Sequence, residues 1–256
     1  MDFIQFSPCI VSPAISPSLL PTWVLEGGTT RMLERLQDKG ERNKIEGEIA
    51  GETMHGENWI KSIGWNNIII GSCPANSKYE GKSLKQIFRE KGSSKTPYQV
   101  FFDWLLEISG EAIMILFGMD EDDVKTVISS PLSSIITDAW ATSPSGGGKP
   151  HPRAYGTFPR AIRKYVREEK LFTLEEAIRK MTSLPAMKIG LKDRGIIRDG
   201  FWADLLVFDA DKISDNASFA EPHQYPEGIS HIIVNGQVVA KNEKLTGVQT
   251  GRVLIH

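Results

Sequence analysis

Ala112-Ile113-Met114-Ile115-Leu116-Phe117, the acid-led stretch 120–128 and Ser134-Ile135-Ile136-Thr137-Asp138 decide the reading of this chain. The first and last are uninterrupted apolar runs of strand length, which suits strands covered on both faces rather than half-exposed ones. Between them Asp120, Glu121, Asp122 and Asp123 crowd the first turn of a short helix, where the positive end of the helix dipole favours carboxylates. Strand, helix, strand with apolar strands predicts a parallel sheet and an α/β fold.

Upstream, Asn67-Ile68-Ile69-Ile70 is a further short apolar run that ends in Gly71-Ser72-Cys73-Pro74, a buried strand running into a loop. Ser83 is placed to cap a helix over 83–91. Pro97 suits the first position of another over 97–108, with Val100, Phe101, Trp104, Leu105 and Ile108 on one face. Residues 29–50 repeat apolar positions at helical spacing (Met32, Leu33, Leu36, Ile45, Ile49), with a break expected near Gly40. Pro8, Pro13, Pro17 and Pro21 make residues 1–27 read as mostly irregular, although Asp2-Phe3-Ile4-Gln5-Phe6 has the look of a strand's tail.

Downstream, Pro159 is expected to open a helix through Glu169. Thr173 with Glu176 forms a capping box for the next, with Leu174, Ala177, Ile178, Met181 and Leu184 as its apolar stripe and Pro185 as its stop. From about residue 187 the character turns to β. Residues 203–208 read as a strand. His231-Ile232-Ile233-Val234, Asn235-Gly236 and Gln237-Val238-Val239-Ala240 form a hairpin whose Asn-Gly supplies the two positive-φ residues of a type I′ turn. Residues 251–255 read as a last strand. The expected domains are therefore 1–186 and a β-rich 187–256.

Thirty basic and 32 acidic residues leave a net charge of −2, so no strong field steers the chain to nucleic acid or an anionic membrane. Asp2 and the early prolines argue against a signal peptide, and no run of about 18 apolar residues suggests a membrane span. Cys9 and Cys73 make no disulfide framework, and a reducing cytoplasm is the expectation.

Asp138 is the side chain of most chemical interest, because strand ends form the active edge of α/β barrels and open sheets. A carboxylate there serves as a general base or metal ligand, or, equally well from position alone, caps a turn or pairs with a nearby arginine. The loop 139–153 has no pattern of its own and ends in His151-Pro152-Arg153. Arg153 could grip a carboxylate with two parallel hydrogen bonds, although a surface arginine is the plainer reading. Ser72 and Cys73 either face a site or form a structural turn with Pro74, and Cys73 has no neighbouring base to make it a nucleophile. Gly146-Gly147-Gly148 is not a phosphate loop, because no Lys-Ser/Thr pair follows it. His55, His151, His223, His231 and His256 show no His-x-His or His-Glu-x-x-His spacing, so no metal ligand is assigned. A meeting of Cys73, Asp138 and His151 is a further arrangement the residues allow.

Several stretches in order resemble the D-aminoacylase (N-acyl-D-amino-acid deacylase) group of the amidohydrolase superfamily. They include Leu20-Pro21-Thr22-Trp23, Ser72-Cys73-Pro74, Thr137-Asp138 and Lys149-Pro150-His151-Pro152-Arg153-Ala154-Tyr155-Gly156-Thr157-Phe158-Pro159-Arg160. Gly200-Phe201-Trp202-Ala203-Asp204 and Pro222-His223-Gln224-Tyr225-Pro226-Glu227-Gly228 continue the match. The resemblance implies the C-terminal portion of a (β/α)8 metal-dependent hydrolase barrel followed by part of a small β-sandwich. It implies zinc-dependent hydrolysis of the amide of N-acyl-D-amino acids. Asp138 matches the family's proton-transferring aspartate, Arg153 its arginine for the substrate α-carboxylate, and Ser72 a serine assisting at that carboxylate. The family has Gly after the aspartate where Ala139 stands here. The family's metal ligands precede the matched part, so the chain alone is expected to be inactive, with a separate N-terminal half chain as a possible partner. The rival expectations are an inactive truncated remnant and a non-enzymatic interaction module.

Overall fold

The computed structural model describes residues 3–4, 10–12, 14–51, 58–92, 94–139, 141–143, 145, 149–242 and 244–254. Strands β1 (Phe3–Ile4) and β2 (Ile10–Ser12) come first; β1 falls in the stretch read as a strand's tail, whose Asp2, Gln5 and Phe6 lie outside the described residues. Helices α1 (Ile15–Leu19) and α2 (Thr22–Leu25) then replace the expected irregular chain. Pro17 sits in the first turn of α1 and Pro21 at the N-cap of α2, positions whose N–H groups have no helical partner to lose. Helices α3 (Gly28–Gln37) and α4 (Lys39–Ala50) divide at Asp38 rather than Gly40, because the Asp38 carboxylate accepts from the Glu41 N–H and caps α4.

After α5 (Trp59–Ile63) come β3 (Ile68–Ser72) and α6 (Leu84–Lys91), which opens on a reciprocal Ser83–Gln86 capping box. Thr96 caps α7 (Pro97–Glu107), with the proline at its first position as expected. Strand β4 (Ile113–Leu116), α8 (Glu121–Ser129) capped by Asp120, and β5 (Ser134–Ile135) occupy the three stretches read first. Helix α9 (Arg153–Arg160) begins six residues before Pro159 and passes directly into a π-helical segment, Ala161–Glu168. Pro185 does not stop a helix either. Helix α10 (Leu174–Met181) ends where Thr182 leaves helical geometry, and Pro185 lies in the first turn of α11 (Ser183–Lys188). Strands β6 (Leu205–Phe208), β7 (Ile229–Val234), β8 (Gln237–Lys241) and β9 (Lys244–Leu245) complete the chain. Residues 251–254 form no strand, and 255 lies outside the described residues.

The chain divides into two compact units. One comprises residues 8–119 and 146–151, and its sheet has the order β2-β4-β3, antiparallel throughout. Its core joins Ile15, Leu36, Ile49, Ile70, Phe101 and Trp104, all fully buried. The other comprises residues 1–7, 120–145 and 152–256. It contains the parallel pair β1-β5 and the antiparallel meander β6-β7-β8-β9. The expected parallel unit therefore does not form from β4, α8 and β5. Leu116 and its neighbours pair antiparallel with Ile68–Ile70, and β5 takes β1 as its parallel partner. An apolar run reports burial on both faces and is silent about the direction of its partner. The β7–β8 turn is the expected one, with Asn235 at φ 48° and Gly236 at φ 80°. Among the described residues no helix is long and apolar enough to cross a membrane.

Candidate functional site

Strand β5 ends at Ile135, and three residues later Asp138 takes a left-handed backbone, φ 45°. Such a conformation costs a non-glycine residue on the order of 1–3 kcal/mol and is least unfavourable for Asp and Asn. The carboxylate is exposed, with 53% of the side chain accessible. Asp138 Oδ2 lies 3.1 Å from Arg153 Nη2. Arg153 is the first residue of α9, set by Pro152 at the N-cap, and only 7% of it is exposed. The plain surface reading of Arg153 is therefore wrong. A guanidinium withdrawn from water needs an anion, and Asp138 supplies one at 3.1 Å. The structure thus brings together two of the three residues singled out, in the pairing that position alone left open for Asp138.

Around α9 the chain is held by groups to which the sequence reading gave no individual role. Tyr155 Oη and His223 Nδ1 are 3.0 Å apart, and the Tyr155 and Tyr225 rings meet edge to face at 6.0 Å. This ties the His-Gln-Tyr segment to the turn that carries Arg153. The alternation of His223 and Tyr225 in a proline-flanked stretch was the available signal. Gly228, at φ 84°, lies so close to the 209–215 turn that a Cβ would come within 2.6 Å of the Ile213 backbone. The π-helical segment is fastened to the same turn. Arg163 Nε donates to Asp215 Oδ1 at 2.7 Å, Arg160 Nη1 stands 3.6 Å from Asp215 Oδ2, and Arg167 donates to the carbonyls of Ala210 and Ile213. Lys180 is buried at the end of α10, where it donates to Ser130 and Ser133 oxygens, and burial pulls its pKa down.

Ser72 belongs to the other unit. It is the last residue of β3, beyond a bulge that starts at Ile70, and pairs with Ile113. The preceding Gly71 carbonyl accepts from the Lys149 N–H at 2.6 Å, and a Cβ on Gly71 would sit 3.1 Å from the Lys149 oxygen. Ser72 borders a hollow of about 410 Å³ whose wall also includes Leu25, Met32, Pro74, Glu111 and Ile113. Cys73 next to it is a buried free thiol, and burial raises its pKa, the opposite of what activates a cysteine.

Among the described residues no three His, Cys, Asp or Glu side chains gather as a metal ion requires. His231 Nδ1 is 3.2 Å from the Ser230 hydroxyl in β7, a structural contact. Cys9, His55, His256 and Gly146–Gly148 lie outside the described residues. The described donor set does not by itself fit zinc.

The amidohydrolase family matches residues 95–240. A D-aminoacylase of Alcaligenes xylosoxydans xylosoxydans is 36% identical over 206 residues, which is 80% of this chain and 40% of that relative. An N-acyl-D-aspartate deacylase of the same organism is 41% identical over 140 residues, 55% of this chain and 27% of the relative. The solved N-acyl-D-glutamate deacylase of Bordetella bronchiseptica, complexed with zinc and a phosphonate mimic of the tetrahedral intermediate, superposes with a TM-score of 0.61. The two are 32% identical, over 72% of this chain and 38% of that one. The chain spans about two fifths of the length of these relatives or less. Matched by family, by relatives at over a third identity and by fold, this chain belongs to the amidohydrolase family.

Proposed function

We propose that this chain is the C-terminal portion of a hydrolase that cleaves the amide C–N bond of N-acyl-D-amino acids. The observation that carries the reading is the Asp138–Arg153 pair. It is a carboxylate presented just beyond a strand end on a left-handed backbone and held by a buried guanidinium. It occurs in a chain more than a third identical to a D-aminoacylase. In this reading Asp138 accepts a proton from the attacking water and returns it to the leaving nitrogen. Arg153 holds Asp138 in the free chain and turns a guanidinium nitrogen to the substrate α-carboxylate when substrate enters. Ser72, in the other unit, is proposed as a substrate-binding hydroxyl. Zinc is assigned to the assembled enzyme, with its ligands in the part of the relatives' length that this chain does not span. A (β/α)8 portion over 1–186 and a sandwich segment over 187–256 are proposed on the same basis, supported by the fold likeness and by the change to strands after α11.

The test combines this chain with the N-terminal half of the similar D-aminoacylase and follows release of free amino acid from N-acetyl-D-amino acids. Activity is expected from the mixture and not from this chain alone. Asp138→Asn should lower it by about 100-fold or more, because an amide cannot take the proton. Near-normal turnover in that variant removes Asp138 from the mechanism.

A further inference from the structure

The unit formed by residues 8–119 and 146–151 carries a second groove, of about 710 Å³, which shares no lining residue with the hollow beside Ser72. The volume lies within the range of small-molecule sites, roughly 300–1,000 Å³. Trp65, Phe88, Pro97 and Val100 give the groove an apolar wall, on which Trp65 meets Phe88 edge to face at 5.2 Å. Lys85, Arg89 and Lys95 line it as well, and among the described residues no acid does. Lys85 and Arg89 are exposed and stand one turn apart on α6, so they share a helix face. Like charges at that spacing destabilise a helix, and Lys85 lies in the first turn, where the dipole disfavours a cation. The acids of α6 and α7 are engaged elsewhere: Glu90 with Lys82, Asp103 with Arg42 and Lys95, and Glu107 with Lys91. Glu46 is taken by Thr96 and Gln99. Among the described residues the Lys85 and Arg89 side chains have no hydrogen-bond or ion-pair partner.

We propose that this groove binds an organic phosphate carrying a flat ring, of the size of a nucleoside diphosphate. Lys95 already has Asp103 at 2.6 Å, so the charge left without a partner is that of Lys85 and Arg89, which suits a doubly charged anion. The Arg89 guanidinium offers parallel N–H groups to phosphate oxygens, and Lys85 adds a point charge. Those two cations alone would serve any small anion. The apolar wall beside them distinguishes a ligand with a ring, which would bury its surface against Trp65 and Phe88. The exposed Asn66 amide on the same wall can both donate to and accept from the polar edge of such a ring. The inference is independent of the deacylase reading, because every lining residue lies between 64 and 100 and none has a part in that mechanism.

The test titrates the full chain with ADP, pyrophosphate and adenosine in a calorimeter, at low and at raised salt. ADP should bind about tenfold or more tightly than either fragment, and salt should weaken it. The double variant Lys85→Gln, Arg89→Gln should lose about tenfold or more in ADP affinity and most of the salt dependence. Both positions are exposed, so the fold should be kept, and relief of the repulsion should leave the urea midpoint of the ligand-free variant at or above that of the wild type. ADP should also change the tryptophan fluorescence of the wild type, and Trp65→Phe should abolish that change. Pyrophosphate binding as tightly as ADP overturns the inference in favour of an adventitious anion on two surface cations. ADP affinity unchanged in the double variant, or a fluorescence change that survives Trp65→Phe, places the ligand elsewhere and overturns it too. So does the absence of ADP binding.

Discussion

Replacing Asp138 by Asn and Arg153 by Met, singly and together, isolates the energy of the contact on which the proposed function rests. Asparagine suits the left-handed backbone at 138 about as well as aspartate, so the backbone itself is left undisturbed. At 3.1 Å two unit charges attract by about 1 kcal/mol in a water-like dielectric and about 5 kcal/mol at an effective constant of 20. Burial of Arg153 pushes towards the larger value, but the half-exposed Asp138 admits solvent, and desolvation of the guanidinium offsets part of the gain. We expect a coupling of about 1–2 kcal/mol, between a surface pair and a buried one. Urea unfolding of the four proteins, read by far-ultraviolet circular dichroism, gives it directly. Arg153→Met alone should be the milder single change, because Asp138 can return to water. Asp138→Asn leaves a buried cation short of its anion. A coupling below about 0.5 kcal/mol at low salt would refute the pairing and return Asp138 to an independent side chain.

Gly228→Ala should destabilise the chain by more than about 2 kcal/mol, because it combines a positive φ with a Cβ 2.6 Å from the Ile213 backbone; urea midpoints measure it. Asp215→Ala should cost about 2–3 kcal/mol in the same assay, since its side chain is 3% exposed between Arg160 and Arg163, and a loss under 1 would show that Arg167 alone fastens the turn. Hydrogen bonds from Lys91 and Tyr79 hold the Glu107 pKa below its ordinary value. Its stabilising contribution is therefore complete above the ordinary glutamate range and lost as pH falls through the lower folded-state value. The gap in urea midpoint between wild type and Glu107→Gln should close on acidification, and a gap constant with pH would contradict this.

Local chemistry in the sequence determined much by itself. Asn235-Gly236 specifies its turn because few other dipeptides tolerate two positive φ values. Ser83 and Thr173 each cap the helix they were expected to open, because a short oxygen-bearing side chain reaches the first free N–H groups, and Thr96 and Asp120 do the same where no cap had been read. The apolar runs at 68–70 and 113–116 are strands as read, and the motifs around Asp138 and Arg153 pointed to the family. Only the tertiary structure decided the rest. The antiparallel partners of β4, the entry of Arg153 into α9 and its burial, the Tyr155–His223 contact and the hollow beside Ser72 all join residues distant in sequence. Pro159 lies inside α9, beyond its first turn, and proline was misread at 17 and 185 for a related reason. A proline forbids a hydrogen bond, and whether that bond was needed depends on where the helix begins, which neighbouring segments settle by packing.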